Sequence, residues 1–340
     1  MPNAPSISVV VPVHNGGDAF RRCVRALAGA LSPADELVVV ADGETDGAWR
    51  DLPPSAASVR TLVLPESGGP ARARNRGATE ARGDVLFFVD ADVVVAPDAV
   101  ERVRGRFAAE PGLAALVGSY DATPGDGAFL SQYRNLLHHW THQTAREPFE
   151  TFWTGCGAVR RDAFLALGGF DEGYAQPSIE DIEFGYRLGG AGHPIALDKG
   201  LQVTHLKAWR APDMVRTDVL RRAAPWTELL LKRGAVEDNL NVDVRSRASL
   251  VAVAAAGVSA FAAPLAPRPA LAAGAASVLA FAALNAPFYG YLRRVRGRRF
   301  ALRAVPWHAA YYASAGAGFA LGAARHLLTP PPARRTVSSS

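Results

Sequence analysis

Four short runs of apolar, largely β-branched residues set the strongest limit on how this chain folds: Ile7–Val13, 36–41, 59–64 and 84–89. Helical stretches separate them, and the runs stay apolar on both sides of the alternation, as strands buried on both faces of a parallel sheet do. Each run gives way to residues of another kind. The first ends in Pro12, His14 and Asn15, and the second in Asp42-Gly43. The third leads to Gly68-Gly69-Pro70, and the fourth ends in Asp90-Ala91-Asp92. The expected architecture is a doubly wound, mostly parallel α/β domain, in which ligands bind beyond the carboxyl ends of the strands. His14, Asn15, Asp42 and Asp92 all fall there.

The 340 residues allow one large α/β domain with an appendage. Apolar residues make up 49% but are unevenly spread: residues 1–240 have the composition of a soluble protein, whereas 248–328 is dominated by Ala, Val, Leu, Phe and Gly. Residues 248–266 carry no charge, and as a helix they span roughly 28 Å, close to the thickness of a bilayer's hydrocarbon. After a short turn with Pro267, Arg268 and Pro269, residues 270–292 form a second such stretch, so a transmembrane hairpin is expected. Six Arg lie in the eleven residues from Arg293 to Arg303, which places that segment on the cytoplasmic side. Residues 304–328 are apolar but hold His308, Tyr311, Tyr312, Arg325 and His326, and both spanning the membrane and lying in its interface stay open.

Upstream, residues 212–233 have the pattern of an amphipathic helix, with Val215, Val219, Trp226 and Leu230 at helical spacing and Arg216, Arg221, Arg222, Lys232 and Arg233 supplying charge. It suits a membrane interface as well as a surface helix packed on the core. Pro225 is expected to bend it. The domain division is therefore 1–210 catalytic, 211–247 interfacial helix and linker, 248–328 membrane helices and 329–340 a disordered tail.

The net charge of +5 does not point to nucleic acid, because no zinc-finger spacing or aromatic-interleaved basic face accompanies it. Cys23 and Cys156 are the two cysteines and form no metal-binding or disulfide pattern. The N-terminus has no charged region followed by an apolar run. The expected location is the inner (plasma) membrane, multi-pass, with the catalytic domain cytoplasmic.

Asp90 and Asp92 point to the same side of a strand end by alternation. Two carboxylates there are costly unless a positive group meets them, and a hard divalent ion holding diphosphate oxygens would do so. Arg72, Arg74 and Arg76 lie at a helix N-terminus, where positive potential suits a diphosphate, although a solvated basic face gives the same pattern. Glu180-Asp181 opens a later helix, where acids also complement the dipole.

Taken in order, these blocks resemble the family 2 glycosyltransferases, which have the GT-A fold. The blocks are Val9–Asn15 with Ala41–Gly47, then Gly68–Gly77, Phe87–Asp92, Phe152–Arg161 with Glu180-Asp181, and Val203–Trp209. The chain departs from the family pattern at His14 (usually aromatic), Ala41 (usually Asp) and Glu44 (usually Ser). The resemblance implies that Asp42 accepts a hydrogen bond from a nucleobase, with Pro12, His14 and Asn15 about it. It implies that Arg74 and Asp90 serve the donor, and that Asp92 and His205 bind Mn2+ or Mg2+. Gly155, Cys156 and Glu180 would face the acceptor, and Asp181 would be the base. The implied reaction is inverting transfer of a sugar from a nucleotide diphosphate-sugar to a hydroxyl of a lipid-linked or glycan acceptor at the membrane. A polyprenyl-phosphate glycosyltransferase is the nearest rival, but its ionised acceptor has little need of a base. A non-catalytic nucleotide-sugar-binding membrane protein is the rival of another class, and it would have no need to keep Asp92 or Asp181. A nucleotidyltransferase should open with a Gly-rich phosphate loop, for which Gly16-Gly17 is too slight.

Overall fold

The structure is a computed structural model that describes residues 4–234 and 240–328, so the tail expected at 329–340 lies outside the described residues. Eight strands form one sheet in the order β3-β2-β1-β4-β7-β6-β8-β5. They are β1 (Ile7–Val13), β2 (Glu36–Asp42), β3 (Ser58–Leu64), β4 (Val85–Val89), β5 (Val93–Val95), β6 (Ala115–Tyr120), β7 (Cys156–Arg160) and β8 (Ile195–His205). The first four pair in parallel, as their apolar runs predict. The far half is mixed: β7 is antiparallel to β4 and β6, β8 is parallel to β6, and β5 is antiparallel to β8.

Burial on both faces holds for β1, β2 and β4. β3 is an edge strand and stays half-exposed, which is why Arg60 and Thr61 interrupt its apolar run. Helices α1 (Gly17–Ala30) and α3 (Ala99–Ala109) cover one face, packing Phe20, Leu27, Val103 and Phe107 against Val9, Val11 and Phe87. On the other face lie α2 (Pro70–Glu80), α5 (Arg161–Ala166) and α6 (Glu180–Gly190), where Phe88 meets the rings of Phe152, Phe164 and Phe170.

The remaining helices are α4 (Phe129–Thr144), α7 (Ala211–Arg216), α8 (Ala224–Arg233), α9 (Val244–Ala262), α10 (Pro267–Leu284), α11 (Ala286–Arg296) and α12 (Arg298–Leu328). A π-helical turn, Thr217–Ala223, joins α7 to α8, and Pro225 stands just beyond it, where the missing N–H of a helix start does least harm. The buried face of this segment is not the one the apolar spacing suggested. Met214, Asp218, Ala224 and Thr227 are buried, while Val215 is 45% exposed. The reason is α12, which lies against the segment through two glycines. A Cβ at Gly318 would stand 2.4 Å from that of Ala223, and one at Gly322 would stand 2.3 Å from the Ala224 carbonyl oxygen.

α9 and α10 are long and apolar enough to cross a membrane, and in the most apolar window of each only 11% and 6% is buried. Val258, Phe261, Leu271 and Leu279 are among their exposed side chains. The stretch expected at 270–292 is divided: Asn285 ends α10, donating its side-chain amide to Ser249 Oγ (3.0 Å) and to the Phe281 carbonyl (2.9 Å). Beyond it, α11 turns back onto α4, burying Phe288 and Leu292 beside Tyr133 and Leu136. The Arg-rich segment divides as well. Arg296 donates to Gln132 Oε1 and the Ala122 carbonyl, and Arg303 lies over the Phe129 ring. Arg293, Arg294, Arg298 and Arg299 remain exposed.

A buried ion pair ties α4 to the π-helical turn: Arg134 donates through both terminal nitrogens to Asp218, at 3.0 Å for Nη1. Removing one partner of such a pair strands the other charge. Asp218→Ala is expected to destabilise the protein by about 3–5 kcal/mol. The double variant Arg134→Met, Asp218→Leu should recover most of that loss, as read from thermal unfolding by intrinsic fluorescence.

Candidate functional site

Asp90 and Asp92 occupy the turn between β4 and β5, and the sheet register brings their partners to them. β5 pairs antiparallel with β8 so that Val93 faces His205, which sets His205 Nε2 3.5 Å from Asp92 Oδ2. The Leu206 N–H also donates to the Asp92 carbonyl at 2.8 Å. Tyr120 of β6 stacks on the His205 imidazole, with centroids 4.3 Å apart and planes 14° from parallel. Enclosure would raise the Asp92 carboxyl, but the His205 hydrogen bond and charge and the Lys207 ammonium hold it below its ordinary value.

Arg74, on the buried face of α2, reaches across to two elements at once. Its guanidinium donates to Asp90 Oδ1 at 2.7 Å and to Glu180 Oε1 at 2.9 Å. Burial works against the cation, yet Asp90, Glu180 and Asp181 outweigh it and raise the guanidinium still further. The other oxygen of Glu180 accepts from the Ser178 N–H at 2.9 Å.

Asp181, one residue on, has a different environment. One oxygen accepts from the Ile182 N–H at 2.8 Å, and the other accepts from the Thr154 N–H (3.2 Å) and hydroxyl (3.4 Å). Burial and then the Glu180 charge push its carboxyl up to about 7, against the pull of Arg74. A carboxyl so placed is a proton acceptor at neutral pH.

These carboxylates and His205 line a cavity of about 250 Å³ whose other wall is basic: Lys207, Arg134, Arg221 and Arg222. Arg222 donates to His138 Nε2 at 2.7 Å, which requires the neutral tautomer. Burial and the Arg222 charge keep His138 well below its usual range. Burial and then Arg134 also lower Arg222 itself. The helical spacing left a membrane interface and a surface helix packed on the core equally open for Arg221 and Arg222; the fold turns the π-helical segment toward the cavity. Trp153 and Thr154 fall in the Phe152–Arg161 block without having been singled out, and Tyr120 and His138 carried no sequence signal for the cavity.

Several expected site residues stand elsewhere. Pro12, His14, Asn15 and Asp42 do not line this cavity. His14 Nδ1 lies 2.7 Å from the Asp42 carbonyl, and Asn15, at φ 52°, accepts through Oδ1 from the Thr45 N–H and hydroxyl, both at 2.9 Å. The buried Asp42 carboxylate accepts from Ser67 Oγ, Gly68 N–H and Gly69 N–H, each at 2.9 Å. These bonds pin the β3–α2 loop against the end of β2. The approach there is close enough that a Cβ on Gly43 would stand 2.4 Å from the Ser67 nitrogen.

Arg74 and Glu180 do line the cavity, but each is engaged by the other, so their geometry is that of positioning residues. Gly155 makes room for Trp153, whose indole would stand 2.3 Å from a Cβ there. Cys156 is a buried core residue whose thiol burial pushes up, and it does not reach the cavity.

Residues 8–168 match the family model described as glycosyl transferase family 2. The pre-mycofactocin glycosyltransferase of Mycobacterium tuberculosis (strain CDC 1551 / Oshkosh) is 31% identical over 230 residues, 62% of this chain and 46% of that protein. The validoxylamine A glucosyltransferase of Streptomyces hygroscopicus subsp. limoneus is 29% identical over 247 residues, 62% of this chain and 54% of its own length. The chain thus spans about half the length of these two curated relatives. Among solved structures, a mannosyltransferase from Pyrobaculum calidifontis in complex with GDP-Man and Mn2+ superposes with a TM-score of 0.59 at 19% identity, covering 96% of this chain and 88% of that one. That likeness shows the fold. Residues 8–168 thus carry a glycosyl transferase family 2 domain, and the chain has the GT-A fold, followed by C-terminal helices.

The raised Asp181 carboxyl has a consequence for stability. Its folded value of about 7 exceeds its unfolded value, so its contribution is fully present below about pH 4 and is lost as pH rises through 7. Asp181→Asn is therefore expected to be more stable than the wild type at pH 8, by roughly 1–4 kcal/mol, with the difference shrinking toward pH 5. Thermal unfolding of both proteins across that range tests it. Arg74→Lys keeps the charge but not the two-armed reach, and should lower the unfolding midpoint at every pH.

Proposed function

We propose that this family 2 glycosyltransferase moves a sugar, with inversion, from a nucleotide diphosphate-sugar to a hydroxyl of a lipid-linked or glycan acceptor at the cytoplasmic face of a membrane. One observation carries the reading: a single cavity holds a carboxyl that titrates near neutrality, the Asp90–Asp92–His205 group and a basic wall. An attacking hydroxyl must lose its proton as the bond to the anomeric carbon forms. Asp181, about half ionised at neutral pH, is matched to take it. As the donor breaks, negative charge grows on the departing diphosphate. Lys207 and Arg222 are the groups placed to meet that charge, in an enclosure where they need no reorganisation. Arg74 holds Asp90 and Glu180 in place and so fixes where Asp181 stands.

Asp92 and His205 fit a divalent ion, with an ionised carboxylate and an imidazole 3.5 Å apart in one cavity. Among the described residues no group of three His, Cys, Asp or Glu side chains is assembled, so the other ligand positions would fall to donor oxygens and water. When bound, Mn2+ or Mg2+ would supply charge stabilisation at the diphosphate.

α9 and α10 are assigned as the membrane hairpin, with the exposed Arg293, Arg294, Arg298 and Arg299 at the headgroups and the domain of residues 1–210 on the cytoplasmic side. The hydroxyl acceptor is favoured over a phosphate acceptor by Asp181 itself, since an ionised phosphate gives a base nothing to do.

The test is nucleotide diphosphate release from a panel of UDP-, GDP- and dTDP-sugars in membranes, with Mn2+ or Mg2+. One donor should give metal-dependent release, lost in Asp92→Asn. In Asp181→Asn, transfer should fall by about 10²–10⁴-fold while donor binding persists, and wild-type kcat/KM should climb as pH passes through about 7. Wild-type transfer rates in Asp181→Asn, or a flat pH profile, would remove Asp181 as the base.

A further inference from the structure

A second cavity, of about 540 Å³, lies where the catalytic domain meets the root of the α9–α10 hairpin. Its walls come from α4, the start of α9, the α10–α11 junction and α12, and include Trp140, Arg245, Phe288, Tyr311 and Tyr312. The volume is that of a site for a ligand of some hundreds of daltons. The lining is amphiphilic, with aromatic rings on α4, α11 and α12 and polar groups at Asn241, Asp243, Arg245 and Ser246.

Two further observations give the cavity a direction. It shares Leu137, Thr141, Leu240, Asn241 and Tyr311 with the cavity that holds Asp181, so one wall separates the two spaces. At that wall the Thr141 hydroxyl donates to the Leu137 carbonyl at 2.9 Å and stands 3.4 Å from Asn241 Oδ1, so the contact across the wall is long and weak. On the other side rise α9 and α10, with Val251, Val258, Phe261, Leu271 and Leu279 among their exposed apolar side chains. A contiguous apolar surface of that kind needs lipid or protein cover. The cavity therefore lies between a lipid-seeking surface and a proton-accepting carboxyl.

We propose that this cavity is the acceptor site for an amphiphile. The hydroxylated head would pass the Thr141–Asn241 wall toward Asp181, and the chain would rest among Trp140, Phe288 and Tyr312 before leaving beside the hairpin. This rests on the transferase reading above and narrows its acceptor to a lipid-borne hydroxyl. A soluble glycan would make no use of the apolar route beside the hairpin.

The experiment uses the full chain in phosphatidylcholine vesicles and a dodecyl glucoside bearing a diazirine on its chain. After irradiation, labelled peptides are mapped by mass spectrometry. Two variants narrow the cavity without touching the site around Asp181: Ala248→Trp from the start of α9, and Thr144→Trp from the exposed end of α4. Ala248→Val is the conservative control. Label is expected on α4 and α12, reduced at least tenfold by either Trp and kept by the Val variant. Label on the outer faces of α9 and α10 should persist in all four proteins, which reports that each is folded and inserted. Wild-type label confined to those outer faces, or cavity label unchanged by both Trp substitutions, would overturn the site. Nucleotide release, measured in the same vesicles, separates this inference from the reading it rests on. Loss of cavity label together with loss of acceptor-stimulated release in the Trp variants, while slow acceptor-independent donor hydrolysis persists, supports the site; acceptor-stimulated release kept with cavity label lost would overturn the acceptor role. Cavity label without release from any donor would overturn the acceptor role and leave a lipid site on a non-transferring protein.

Discussion

The two-armed contact of Arg74 with Asp90 and Glu180 is the interaction on which the arrangement of the site depends. Two carboxylates from distant parts of the chain, one after β4 and one opening α6, are brought together in a place with little water. Without a cation between them that approach would be strongly unfavourable. Arg suits the position because its planar fork reaches both carboxylates, which a single ammonium does not do as well. Once Glu180 is fixed, the helix geometry decides the rest. Adjacent residues on a helix face differently, so Asp181 turns away from Arg74, toward Thr154 and the cavity. The same charge that stabilises the clamp leaves Asp181 next to an ionised Glu180, and its carboxyl rises for that reason as well as for burial.

The opposite wall follows from a second buried charge pairing. Arg134 is satisfied by Asp218, and that pair holds the π-helical turn against α4. Fixing the turn directs Arg221 and Arg222 into the cavity, where Arg222 meets the neutral His138. Acidic and basic walls thus face a common space without cancelling each other directly. A ligand carrying both a metal ion and phosphate oxygens complements such a space better than a singly charged one does.

Much of the first half of the sheet was legible in the sequence, because parallel strands buried on both faces leave an apolar signature that little else imitates. The β4 carboxylates were legible for the same reason, as polar residues at the end of such a run. His205 was suggested by family resemblance, but its closeness to Asp92 comes from the β5–β8 register, which three residues of β5 do not announce. Asp42 and Asn15 were recognisable as polar residues beyond strand ends. That their side chains also hold loops depends on backbone N–H groups at Gly68, Gly69, Thr45 and Asp46. Those donors are identical in every sequence, so composition is silent about them. The hidden sites were of one type: Arg222, His138 and Tyr120 owe their place to elements packed from far along the chain. The end of α10 at Asn285 was missed because apolarity alone does not distinguish a helix that continues into lipid from one that turns back onto protein.

That turn back is what couples the hairpin to the site. α11 and the first part of α12 bury Phe288, Leu292, Ala301 and Ala304 against α4, and α12 continues along the segment that carries Arg221 and Arg222. α4 supplies Arg134 and His138 to the cavity on the same stretch that receives α11. The hairpin is therefore not a tether hung from a finished domain. The helices that follow it complete the wall of the cavity, so a chain cut before α9 would lose Tyr311 and the support behind α4 together with its apolar anchor. Glycines at 318 and 322 serve this contact rather than helix flexibility, since a side chain at either would meet the backbone or Cβ of the segment it packs on. Small residues in an apolar helix are thus evidence for close packing against protein, and they separate α12 from the two helices whose apolar side chains face outward.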